Sequence, residues 1–144
     1  MTGTGTEPRA TGACLCGGVR IEIRGDLRPV IACHCDECRR WSGGFWSATA
    51  AREADLTIRE SGSLRWYRSS DKARRGYCAD CGTSLFWKHD ERSYLAIAAG
   101  ALDKPTGLTL AAHIFMAEAG DYYRICDNLP SSQDGRHAVP FPTP

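Results

Sequence analysis

The sequence has no long apolar run. Nothing in its 144 residues approaches the roughly 20 consecutive apolar positions that a membrane-spanning helix needs. Residues 1–11 supply Thr, Gly, Glu, Pro and Arg without the apolar segment of a secretory leader, so export is not expected. An excess of one charge is missing too. Eighteen Lys and Arg stand against 17 Asp and Glu, and a net charge of +1 gives no reason to expect nucleic acid or an anionic membrane as partner. The one basic stretch, Arg65-Trp66-Tyr67-Arg68 followed by Lys72-Ala73-Arg74-Arg75, is offset by acids elsewhere. No segment carries the apolar period of a long helix, and nothing repeats except small cysteine knuckles. With 42% hydrophobic and 24% charged residues, the expectation is one soluble, cytoplasmic globular domain.

What the chain does have is eight cysteines. Seven fall into three knuckles: Cys14-Leu15-Cys16, Cys33-His34-Cys35-Asp36-Glu37-Cys38 and Cys78-Ala79-Asp80-Cys81. Thiols packed this tightly in a reducing compartment suit a metal ion better than several crosslinks, and zinc is the usual ion for such sulfur donors. Two ions per chain are expected. The pairs Cys14/Cys16 and Cys78/Cys81 together make a closed four-sulfur site of the structural kind. Glycines after each pair, Gly17-Gly18 and Gly82, let the backbone turn there.

Cys33, Cys35 and Cys38 then form a second site with three sulfurs and one position over, which is the arrangement of catalytic zinc. Several residues compete for that position. Cys126 would close the site and make it structural, unless it is only a packed side chain. His34 lies between two ligands and in an extended knuckle points away from the metal. His113 stands in the apolar run Ala111-Ala112-His113-Ile114-Phe115, either as a hydrogen-bonded core histidine or as a polar group in the reaction pocket. His89 and His137 read as solvent-exposed.

Around the knuckles the chain reads as mostly β. Alternating or apolar segments predict strands at 19–24, 29–32, 45–51, 56–59, 64–68, 75–78, 84–88, 94–99 and 108–115, with one helical turn at 36–41 ended by Ser42-Gly43-Gly44. About ten short strands are expected in all. The domain is taken as 12–130, between a flexible N-terminal tail (1–11) and an irregular tail (131–144) carrying three of the last four prolines.

These residues carry a resemblance. Cys14-Leu15-Cys16-Gly17-Gly18-Val19, Cys33-His34-Cys35 with Cys38-Arg39-Arg40 and Ser42-Gly43, Leu64-Arg65-Trp66-Tyr67-Arg68-Ser69-Ser70, Arg75-Gly76-Tyr77-Cys78 with Cys81-Gly82-Thr83 and Leu85-Phe86, His113-Ile114-Phe115 and Leu129-Pro130 follow one another along nearly the whole chain. In these the sequence resembles the glutathione-dependent formaldehyde-activating enzyme family, the group that includes centromere protein V. The resemblance implies an Mss4-like, zinc-bearing antiparallel β fold. It implies a structural zinc on Cys14, Cys16, Cys78 and Cys81, and a second zinc on Cys33, Cys35 and Cys38. It also implies a carbon–sulfur lyase activity, in which a thiol such as glutathione and a small aldehyde such as formaldehyde form or release an S-(hydroxymethyl)glutathione-like adduct.

In chemical terms, zinc held by three thiolates is a weak Lewis acid, better suited to holding a fourth thiol as thiolate nucleophile than to making hydroxide. Arg39, or Arg40 beside it, would offset the site's negative charge or hold a substrate carboxylate, unless both are solvated at a helix end. Trp41, Phe45 and Trp46 would be a drying wall or simply core. A binding or scaffold module with two inert zincs is the alternative to an enzyme.

Overall fold

A computed structural model describes residues 7–141; the outer parts of the two expected tails, 1–6 and 142–144, lie outside the described residues. The chain is mostly β, as expected. In order come β1 (Ala10–Ala13), β2 (Val19–Ile23), β3 (Val30–Cys33), helix α1 (Asp36–Ser42), β4 (Trp46–Arg52), β5 (Leu56–Glu60), β6 (Leu64–Arg68), β7 (Ala73–Cys78), β8 (Ser84–His89), β9 (Tyr94–Ala98) and β10 (Leu110–Ile114).

Two sheets result. The smaller has the order β1-β2-β5, and the larger β10-β3-β4-β9-β8-β7-β6. Every neighbouring pair is antiparallel except β10 and β3. The alternation of β2 is realised directly: Val19, Ile21 and Ile23 are buried while Arg20 is exposed. These three join Leu85, Phe86, Leu95 and Ile97 of the large sheet in one core. Each such side chain contributes about 1.5–3 kcal/mol by leaving water.

Strand β1 was not anticipated, and it begins inside the stretch read as a tail. Its residues Ala10-Thr11-Gly12-Ala13 carry no apolar alternation to announce it; pairing supplies the strand, with Ala10 opposite Ile23 and Ala13 opposite Arg20. Gly12 permits the close approach on its other side. A Cβ there would lie 2.3 Å from the carbonyl oxygen of Ala101, so any side chain would force the backbone apart.

The two faces of the large sheet differ, and its edge strand β6 is largely exposed. One face meets the small sheet. On the other, register lines up the residues that matter: Cys33 opposite Trp46, Ile31 opposite Ala48, Ala96 opposite Trp87, Trp87 opposite Arg75, and Ala73 opposite His89. Partners in a ladder project from the same face, so this row forms the floor of a cavity, with α1 at one end. Helix α1 starts on Cys35, whose sulfur accepts from the Cys38 amide at 3.4 Å, and stops at Gly43 in the left-handed region (φ 88°).

Candidate metal centres

The four-sulfur group assembles as spacing predicted. Cys14 and Cys16 follow β1, while Cys78 ends β7 and Cys81 lies in the turn to β8, so the group ties the edge of the small sheet to a hairpin of the large one. Sγ of Cys16 lies 3.6 Å from that of Cys14 and 3.7 Å from that of Cys78. Both knuckles turn alike: Gly17 and Gly82 sit at φ 79°, and their amides donate to the carbonyls of Cys14 and Cys78. The Val19 amide donates to Cys14 Sγ at 3.2 Å. The Thr83 hydroxyl, 3.2 Å from Cys81 Sγ, holds that thiol down to about 5. These are groups set to stabilise thiolates, and the donor set fits a structural metal ion.

Cys33 at the end of β3, Cys35 at the start of α1 and Cys38 one turn on form the second group, all three sulfurs lying within 4.8 Å of one another. Hydrogen bonds with Cys33 and then Cys38 hold the Cys35 thiol far below its ordinary range, while the contact with Cys35 pushes Cys33 up. Three sulfurs gathered this closely are a donor set that a soft divalent cation would draw into full ionisation. Among the described residues, no fourth Cys, His, Asp or Glu joins them.

Cys126 is exposed and belongs to neither group. His34 is fully buried and faces away from the sulfurs, as the extended knuckle suggested. Its Nε2 is 2.9 Å from Nδ1 of His113, its Nδ1 is 2.6 Å from the Tyr123 hydroxyl, and His113 Nε2 is 2.7 Å from Asp127 Oδ2. Because a carboxylate can only accept, His113 donates from Nε2; its Nδ1 then accepts from His34 Nε2–H, and His34 Nδ1 accepts from the tyrosine O–H. Burial first, then the neighbouring His113, lowers His34 to about 4, so the ring is neutral. His113 is 1% exposed, hydrogen-bonded at both ring nitrogens, and does not border the cavity at the sulfur trio.

The sulfur trio opens on a cavity of about 510 Å³. Its floor is the row of paired residues described above, and Tyr94, Phe115, Gly135 and His137 also line it. Of the three aromatics near the helix, Trp46 is in this wall. Trp41 packs edge-on to Tyr77, and Phe45 lies over His34. His89 and His137, read as solvent-exposed, both border the cavity; His137 is exposed and His89 half-buried.

Arg39 and Arg40 do not reach it. Arg39 pairs with Asp36 across the helix surface at 3.2 Å, and Arg40 is exposed at the helix end, where positive charge complements the dipole. The arginine at the sulfurs is Arg75 of β7, 4% exposed, with Nη2 3.7 Å from Cys38 Sγ. Lys72, Arg28 and Arg92 also border the cavity, against one carboxylate among the described residues, that of Glu37.

The family model for the glutathione-dependent formaldehyde-activating enzyme matches residues 9–118. The chain belongs to that family. The part of this formaldehyde-activating family member that matches contains all seven clustered cysteines and Arg75, and ends before Tyr123, Cys126 and Asp127. An uncharacterized lyase of Schizosaccharomyces pombe is 28% identical over 82 residues, which span 57% of this chain and 59% of that protein. A Rhodobacter sphaeroides protein of known crystal structure has the same fold, with a TM-score of 0.56 at 26% identity over 65% of this chain and 88% of the other.

Proposed function

We propose that this chain is a cytoplasmic carbon–sulfur lyase that makes or cleaves the adduct of a small thiol and a small aldehyde, with S-(hydroxymethyl)glutathione as the reference compound. In this reading two zinc ions are bound, one by Cys14, Cys16, Cys78 and Cys81 to hold the sheets together, the other by Cys33, Cys35 and Cys38 at the reaction site. The observation that carries it is the sulfur trio ending in a cavity of about 510 Å³, with no fourth Cys, His, Asp or Glu ligand among the described residues.

When bound at the trio, zinc would keep an incoming thiol ionised at neutral pH, where a free thiol with pKa near 8.5 is only a few per cent thiolate. The rest falls to the chain. Cys33, Cys35 and Cys38 fix where the substrate sulfur comes to rest. Trp46 lines the cavity beside the trio, and Trp87 and Tyr94 extend an apolar floor away from it, which limits competing water. Lys72 and Arg92 are placed to meet the carboxylates that a glutathione-like thiol carries. In the addition direction a carbon–sulfur bond forms, the carbonyl π pair moves to oxygen, and that oxygen takes the proton the thiol gave up, so no oxidant or reductant enters.

Titration of the cobalt-substituted protein with glutathione tests the reading. One of the two sulfur sites should change its spectrum and the other should not. Two unresponsive sites would leave only a zinc-stapled scaffold.

A further inference from the structure

Arg75 is the strangest charge in the molecule. It projects from the middle of β7 onto the cavity face, 4% exposed, and its guanidinium lies between the rings of Trp41 and Trp46, 5.8 and 5.9 Å from their centroids. Only Nη2 has polar neighbours, Cys38 Sγ at 3.7 Å and Glu37 Oε1 at 3.4 Å; Nε and Nη1 are buried without any acceptor. The Glu37 side chain is 50% exposed, so water screens much of that ion pair. A guanidinium held this far from water needs a counter-charge. The partner best sheltered from water is the sulfur trio.

Charge counting gives this consequence. Three thiolates and a divalent ion sum to −1, and a fourth thiolate makes −2. Such a centre left alone favours a neutral fourth ligand over an anionic one. We infer that Arg75 is the residue that fixes the ligand class of the second site, its fixed positive charge behind Cys38 favouring an anionic sulfur over a neutral nitrogen or oxygen ligand. The inference rests on the reading of the trio as an open thiol-binding metal site. It assigns to Arg75 a positioning role exerted through Cys38, with Glu37 opposing it.

The experiment uses full-length cobalt-substituted protein and two small probes at fixed pH: 2-mercaptoethanol, which brings a thiolate and no other charge, and imidazole, which is a neutral ligand. Arg75→Met should weaken mercaptoethanol binding about tenfold or more while leaving imidazole within about twofold. Arg75→Lys, which restores the charge without the planar fork, should recover most of the loss. Glu37→Gln, at a half-exposed surface position, should move thiol affinity the opposite way. Equal weakening of both probes in Arg75→Met, or a lysine variant no better than methionine, overturns the inference while the thiol response of the parent protein still supports the proposed function. If Arg75→Met fails to fold or to retain cobalt, Glu37→Gln decides, and an unchanged thiol affinity there counts against the inference. A parent protein that never responds to thiol removes both.

Discussion

The Nε2 of His34 lies 2.9 Å from Nδ1 of His113, and this single contact turns both rings away from the sulfur trio. His34 sits between two of the three cysteines, yet its imidazole is spent on the far side of the strand. Tyr123 and Asp127 complete the row and bring the segment after β10 against β3. The row is a brace.

As a brace, it should affect stability and not metal content. Tyr123→Phe removes one half-buried hydrogen bond and should cost about 1 kcal/mol; His34→Ala leaves partners on both sides unsatisfied and should cost about 2–4 kcal/mol. Both variants should retain as much zinc as the parent. Loss of one zinc in His34→Ala, with folding intact, would make the histidine a ligand after all.

Acid should loosen the brace. The hydrogen bond from His113 holds the Asp127 carboxyl below its ordinary value of 3.8, so the folded state releases that proton more readily than the unfolded chain. Its contribution is therefore complete above the unfolded pKa and disappears as pH falls through the folded one. Urea midpoints compared between pH 5 and pH 3 should fall less steeply in Asp127→Asn than in the parent. Parallel declines would show that the carboxylate is not coupled to folding.

The two sulfur groups should answer differently to the loss of one ligand. Cys81→Ser breaks the staple between the sheets and should cost about 3 kcal/mol or more, lowering Tm by about 10 °C. Cys35→Ser should keep the fold, bind one zinc instead of two and lose the thiol response. Calorimetry with metal analysis on both variants checks this, and a Cys35→Ser protein that unfolds would assign the trio a structural role.

At Gly12 the prediction is steric. An alanine Cβ would meet the Ala101 carbonyl oxygen at 2.3 Å, so Gly12→Ala must part β1 from the turn at Ala99–Ala101, at about 1–3 kcal/mol. A variant as stable as the parent in urea would mean that this approach is readily relaxed.

The sequence by itself determined the seven clustered cysteines, their division into a four and a three, and most of the strands, because ligand spacing and β alternation act over a few residues. It could not place β1, whose four residues become a strand only by pairing with β2. It also favoured Arg39 over Arg75. A charged residue in a strand reads as facing solvent, and nothing local says that this face of β7 is covered by Trp41, Trp46 and the knuckle of α1. Which arginine stands behind the sulfurs, which way the two histidines turn, and what the trio faces were settled by tertiary structure. They depend on sheet register and on segments 38 to 89 residues apart being packed together, and no window of sequence contains both partners of such contacts.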